Sequence, residues 1–402
     1  VGDRRHVLRQ PDLGGAGGFS RGLSGATAPG GPGPVDVMPM DDDVRVEPET
    51  VLRLFAFAAV TREPMLVGAQ MLYLFNPDYL LVSAERTDLA QLKGGLDADE
   101  FAMRDESVVE DLQERRIDAE YNAWWSCLIP GEAVEEVGLP MPYFFQWDDI
   151  EYGLRCRQAG MPTCTLQGAA VWHADFYWKD GDDFGQFFSQ RNSLVTAAVR
   201  QGIDVRSMAA VLGRRVLRAI VGMQYGLAAT YLRGIEAFLD GPDGPLGVGD
   251  GGQTALTEIR QERSGYPETA TLGVEALPAG IVVERKVGIP REDREDQVLA
   301  KRLLAQRLGR QRRGAVAIPY EDAAWWHVSL FDEVYVTDAS QNGVHYRRVD
   351  PRRSAALQKN LGALLVRFVR DAPAAQEQWR RALGRLTTRE NWARLYGDAP
   401  GA

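Results

Sequence analysis

Cysteine is scarce in this chain, with three residues, Cys127, Cys156 and Cys164, among 402. An odd number without a Cys-x-x-Cys pair excludes a disulfide framework and a thiolate zinc site. A reducing, cytoplasmic compartment is the expectation. Long apolar runs are also missing. The nearest approach, Val211 to Leu239, is broken by Arg214, Arg215, Arg218, Arg233 and Glu236, which argues against a membrane span. No basic region followed by an apolar run opens the chain, so no secretory signal is read. The first residue is Val1 rather than Met. No surplus of positive charge exists: the net charge of −10 argues against a broad nucleic-acid-binding surface. Internal repeats are absent as well.

What is present is ordinary globular composition, 45% hydrophobic and 25% charged. The length suggests two or three domains. The charge is uneven. Residues 1–200 hold 17 basic and 32 acidic side chains, and the remainder holds 29 and 24, so the halves face different surroundings. Up to about residue 175, apolar runs alternate with helical periodicity, which predicts an α/β layer. Expected strands are Val35–Met40, Met65–Met71, Tyr121–Ile129 and Ala169–Trp172, and expected helices cover residues 48–60 and the stretch after Trp147. Residues 83–120 read as an irregular acidic insertion with a short helix near Val108–Arg115. A helical region follows from Phe184 to Leu239, then a Gly- and Pro-rich linker over 240–298. The last hundred residues predict a basic helix from Leu299 to Arg313, a hairpin around Asn342-Gly343 and two helices. The expected division is 1–175, 176–298 and 299–402.

Several residues carry chemistry by type and spacing. Asp41-Asp42-Asp43 closes an expected strand, where open α/β sheets bind ligands. Clustered carboxylates repel unless a cation neutralises them, and Mg²⁺ or Mn²⁺ on a diphosphate suits such oxygen ligands. In a strand, residues 41 and 43 share a side. A solvated acidic turn before a helix is the plainer account. In Trp147-Asp148-Asp149, the Asp148/Glu151 spacing matches a capping box, which leaves Asp149 on the first helical turn. There the dipole favours a carboxylate able to accept a proton from a sugar hydroxyl. A helix cap alone accounts for Asp148. His173 ends a buried strand and offers a nitrogen ligand that favours Mn²⁺ beside carboxylates, or simply a hydrogen-bonded strand end. The loop Gly14-Gly15-Ala16-Gly17-Gly18 lacks the P-loop lysine and the complete dinucleotide fingerprint. It indicates backbone brought close to something, such as an anion at a helix start. Trp124-Trp125 offers one ring for the core and one for a sugar platform.

The order of these segments resembles that of inverting glycosyltransferases of the GT-A fold. The wording is closer still. Pro11-Asp12-Leu13-Gly14-Gly15-Ala16-Gly17-Gly18-Phe19-Ser20-Arg21, Met40-Asp41-Asp42-Asp43-Val44, Trp124-Trp125-Ser126-Cys127, Trp147-Asp148-Asp149 and Trp172-His173 resemble the polymerising UDP-galactofuranosyltransferases of mycobacterial cell-wall galactan synthesis. The resemblance covers residues 10–200 and thins through Ala237-Phe238-Leu239-Asp240-Gly241-Pro242. It implies a partial GT-A, Rossmann-like α/β layer followed by a mainly helical region. It also implies that Asp41 contacts the donor, with Asp42, Gly14 and Gly15 nearby. Asp43 and His173 would hold Mn²⁺ or Mg²⁺, and Asp149 would be the catalytic base. Trp124, Trp125, Glu85 and Asp148 would line the acceptor site. The implied partners are UDP-galactofuranose and a lipid-linked galactan, with a homo-oligomer as the assembly. Asp12 stands where the family tends to have Asn, and Pro39 interrupts the expected strand. The family's first nucleotide-binding strands precede the glycine loop, so a truncated member with weak UDP binding is expected. A transferase for another nucleotide sugar, and a non-catalytic assembly subunit, remain open alternatives. The run Lys301, Arg302, Arg307, Arg310, Arg312 and Arg313, with Leu303, Leu304 and Leu308, reads either as a basic amphipathic helix for an anionic membrane surface or as a solvated helix.

Overall fold

Leu66–Tyr73 is buried at seven of its eight positions, as a strand covered on both faces must be. It lies inside the N-terminal sheet of the computed structural model, which describes residues 6–28, 35–96, 101–103, 110, 118–176, 181–286, 288–338 and 343–398. The strands are β1 (Val44–Val46), β2 (Leu66–Tyr73), β3 (Tyr79–Val82), β4 (Arg86–Asp88), β5 (Lys93–Leu96), β6 (Phe101–Ala102), β7 (Asp118–Ala119), β8 (Cys127–Leu128) and β9 (Thr163–His173). The sheet order is β1-β9-β2-β3-β6, with β7 on β9 and β8 on β2, while β4 and β5 pair separately. β2 and β9 run parallel with Tyr73 opposite His173. β1 runs antiparallel to the end of β9 with Val44 opposite His173. The register therefore fixes the acidic triplet, which leads directly into β1, beside His173.

The second half is mainly helical, so the mixed α/β class with a helical C-terminal region matches the expectation. Helices Gly185–Arg200, Val205–Val221, Tyr225–Asp240 and the 36-residue Pro351–Leu386 pack together. Fully buried Trp379 donates its indole N–H to the Phe238 carbonyl at 2.9 Å. One apolar cluster runs from Leu89, Tyr143 and Trp147 through these helices to Leu386, so the site segments rest directly on the helical layer. A smaller sheet adds β10 (Thr271–Leu272), β11 (Val282–Val283), β12 (Arg312–Ile318), β13 (Phe331–Thr337) and β14 (Val344–Arg348), in the order β10-β14-β13-β12-β11.

The short helix Arg389–Tyr396 folds back on the glycine-rich helix Gly14–Ala26. The Arg389 guanidinium donates to the carbonyl oxygens of Ser24 (2.8 Å) and Thr27 (2.6 Å). The Tyr396 hydroxyl donates to the Gly17 carbonyl at 3.0 Å, and Arg21 pairs with Asp398.

Several expectations need correction. Val35–Met40 contributes one bridge, Val37 to Ile129, rather than a strand, because Pro39 has no N–H to extend the ladder. Tyr121–Ile129 reduces to β8, and Trp124-Trp125 sits in a turn. Residues 240–298 contain the helix Gln253–Arg263 and two strands instead of plain linker. The basic helix runs Glu295–Arg307, and Arg312 and Arg313 begin β12. The 83–120 insertion carries the β4–β5 hairpin. The expected helix at Val108–Arg115 lies almost wholly outside the described residues, as does Asn342 of the hairpin turn. The hairpin strands themselves pair as expected, from Glu333–Arg348 to Thr337–Val344.

Candidate active site

A cavity of about 820 Å³ opens between the sheet edge, the glycine-rich helix and the helix Asp148–Gln158. Gly15, Asp41, Glu85, Trp124, Trp125, Asp148, Asp149 and His173 all line it. Residues spread over 159 positions of sequence are thus brought to one space. Asp42 and Asp43 are exposed and do not line the cavity, but Asp43 is tied to it through His173. Gly14 does not line it either. Its φ of +66° and a Cβ position 1.9 Å from the Phe144 carbonyl oxygen explain the glycine as a close backbone approach. That approach seats Gly15 and Phe19 at the cavity wall.

Asp41, Asp43 and His173 offer ligand atoms that lie within 4.8 Å of one another. His173 Nε2 is 3.2 Å from Asp43 Oδ1 and 3.9 Å from Asp41 Oδ2. Nδ1 lies 2.7 Å from the Ala174 carbonyl oxygen. A proton on Nδ1 makes that bond and leaves Nε2 facing the carboxylates, the arrangement typical of a metal-bound imidazole. Two carboxylate oxygens and one imidazole nitrogen fit a divalent cation.

The expected capping box does not form. Trp147, in the left-handed conformation, is the N-cap, and no side chain caps the helix. Glu151 turns away to bond Arg155 at 2.7 Å, with Arg200 3.4 Å off. Asp148 and Asp149 are thereby released from helix capping and point into the cavity. Asp149 Oδ1 accepts the Ile150 N–H at 2.7 Å. The expectation that the helix start keeps Asp149 anionic is also corrected. Burial, then its neighbours Asp148 and Glu85, push the Asp149 carboxyl well up from the usual carboxylate range. Burial, with Asp41 adding repulsion, lifts Asp148 to about 7.

Glu85 is buried and accepts hydrogen bonds from the Tyr121 hydroxyl and the Ala123 N–H, both at 3.0 Å. Burial nevertheless raises its pKa to about 7, against the lowering by these donors. The sign of the linkage follows. A carboxyl whose folded pKa exceeds its unfolded value of 4.5 favours folding below pH 4.5, and that advantage is lost as the pH rises through about 7. Glu85→Gln should therefore gain about 3 kcal/mol relative to wild type between pH 4.5 and 8. Urea midpoints measured across that range check this, and parallel pH profiles for the two proteins would contradict it.

Both tryptophans are less exposed than a split between core and platform requires, at 3% for Trp124 and 5% for Trp125. Trp125 donates its indole N–H to the Ala69 carbonyl at 3.1 Å, and Trp124 packs edge-on against Phe19 and Tyr152. Each shows only a margin to the cavity.

Sequence reasoning passed over the support behind Asp148. Phe144, Gln146 and Trp147 all have positive φ, a strained run of the kind that gathers at functional sites. The Asn192 amide donates to the carbonyls of Phe145 and Gln146 at 2.9 Å. The fully buried Arg191 guanidinium donates to the carbonyls of Tyr143, Leu246 and Gly247. The available signal was the polar run Gln190-Arg191-Asn192-Ser193 inside an otherwise apolar helix.

Residues 208–398 match the family described as galactofuranosyltransferase-2, domain 3. The chain is 33% identical to galactofuranosyltransferase GlfT2 of Mycolicibacterium smegmatis, over 98% of this chain and 62% of that protein. It is 32% identical to GlfT2 of Mycobacterium tuberculosis, over 98% of this chain and 64% of that protein. It therefore spans somewhat under two thirds of the length of these relatives. The chain is thus similar to the mycobacterial galactofuranosyltransferases across nearly all of its own length, as its motifs indicated.

Proposed function

We propose that this chain transfers galactofuranose from UDP-galactofuranose to a growing, lipid-linked galactan, with inversion at the anomeric carbon. The observation that carries the reading is one cavity joining the Asp41/Asp43/His173 cluster to the Asp148/Asp149 pair and to Glu85 and two tryptophan margins. The kinship with galactofuranosyltransferases supports the choice of sugar.

In this reading the donor lies on the side of Asp41 and Gly15, with Gly14 fixing the backbone behind them. Asp43 and His173, with Asp41 beside them, hold Mn²⁺ or Mg²⁺. When bound, the cation neutralises charge on the departing diphosphate. Asp149 accepts the proton of the acceptor hydroxyl through the oxygen that is not bonded to Ile150 N–H. Burial, Asp148 and Glu85 raise the proton affinity of this carboxyl, so its ionised form is a stronger base than an exposed aspartate. Asp148, Glu85, Trp124 and Trp125 border the acceptor. Asp42, next to the cluster but not one of its ligand groups, faces the donor side without holding the cation. The layout is that of a GT-A transferase with an α/β part over 1–175, a helical part over 176–298 and a small third part over 299–402. It works in the cytoplasm as a homo-oligomer. Among the described residues no helix is long and apolar enough to cross a membrane. Contact with an anionic lipid surface rests on Lys301 and Arg302 beside exposed Leu304 and Leu308.

The test is to incubate the chain with Mn²⁺, a panel of nucleotide sugars and a galactofuranosyl disaccharide. Mass spectrometry should show a hexose added from UDP-galactofuranose, and EDTA should stop it. Transfer from a different donor would replace the sugar assignment. Metal and UDP binding without any transfer would favour the assembly-subunit reading.

A further inference from the structure

A second cavity, of about 740 Å³, lies against the first. Gln91 and Lys93 line it, while Leu92, Gly94 and Gly95 line the candidate active-site cavity. The segment 91–95, a turn at Gln91-Leu92 leading into β5 at Lys93, therefore separates the two cavities and borders both. One side chain ties this partition to the helical layer, and a second bond joins the linings of the two cavities. Arg215 donates to the carbonyls of Gln91 and Leu92, both at 3.3 Å, and to Gln190 Oε1 at 2.8 Å. The Tyr231 hydroxyl, in the second cavity, donates at 3.3 Å to Gln186 Oε1, in the first.

The far side of the second cavity is chemically mixed. Trp325 is partly exposed there, with the Arg218 guanidinium 5.7 Å from its ring centroid. Arg218 pairs with Glu295, and Arg214 lies 3.9 Å from Asp296. Cations and carboxylates nearly balance, so the cavity is not built for a strongly charged ligand. Planar amide, guanidinium and carboxylate groups around an aromatic face match a neutral polyol, whose hydroxyls both donate and accept and whose C–H face stacks on a ring.

We propose that the second cavity is a distal acceptor subsite that holds sugar residues already incorporated, while the terminal sugar occupies the first cavity. The inference rests on the reading of the chain as a galactan-building transferase. It adds where the rest of the polymer lies. A chain bound at two linked subsites gains affinity through effective concentration without any new contact at the reacting end.

The test compares binding of a galactofuranosyl disaccharide and a hexasaccharide by calorimetry, with UDP and Mn²⁺ present. Wild type should bind the hexasaccharide at least about tenfold more tightly. Trp325→Ala and Arg214→Ala should each erase that advantage and leave disaccharide binding unchanged. Circular dichroism confirms the folded state of each variant. An undiminished preference for the hexasaccharide in both variants overturns the subsite. Equal affinity of wild type for both sugars overturns it as well, while leaving the transferase reading in place. Failure of wild type to bind either sugar strikes the transferase reading and takes the subsite with it.

Discussion

Asp149→Ala is expected to lower galactofuranosyl transfer by about 10³-fold, the middle of the range for losing a general base. UDP and Mn²⁺ binding should remain near wild type, because Asp149 lies outside the Asp41/Asp43/His173 cluster. The structure sharpens this expectation in one respect. Asp148 and Asp149 are adjacent, buried and half-buried respectively, and each is free of helix capping, so both are candidates to take the proton. Asp149 is preferred because its Oδ1 is fixed by the Ile150 N–H at 2.7 Å, which orients the other oxygen. Single-turnover rates of Asp149→Ala and Asp148→Asn decide the matter. A full loss in Asp148→Asn with Asp149→Ala still active would exchange their roles.

His173→Ala is expected to weaken Mn²⁺ binding by at least about 100-fold. Removing groups that merely orient a ligand already costs 10–100-fold, and His173 is here the ligand itself. Its Nε2 lies 3.2 Å from Asp43, and its ring is locked by the Ala174 carbonyl and stacked on Phe176 at 5.0 Å. Asp42→Ala serves as the control and should leave Mn²⁺ affinity unchanged, since that carboxylate is not one of the three clustered ligand groups. Calorimetric titration of Mn²⁺ with UDP present reads both. Wild-type affinity in His173→Ala would remove the metal assignment. His173 is buried, so a thermal melt must accompany the titration.

The site was more legible in the sequence than the strands around it. Asp41, Asp43, Asp149 and His173 were readable because each sits at a junction where chemistry-bearing residues follow an apolar segment. Those junctions persist even where the expected strand does not form. Val35–Met40 shows the difference: its apolar pattern is real, yet Pro39 and the irregular partner segment leave one bridge. Trp124-Trp125 followed strand periodicity but adopted a turn, since alternation over two residues cannot separate the two. β12 was hidden because Arg312 and Arg313 continue the basic run of the preceding helix, and Gly309 breaks that helix with a φ of +61°. The role of Asn192 was hidden for another reason. An amide that clamps a loop some 46 residues away leaves no local pattern.

The clasp of Arg389, Tyr396 and Asp398 on the glycine-rich helix has a consequence for biosynthesis. The wall containing Gly15 and Phe19 is secured by contacts about 365–380 residues apart in sequence. Contacts so distant form late and slowly. On the ribosome, the nascent chain must wait until Asp398 has emerged before that wall is secured, so the first segment translated is among the last to be fastened in place.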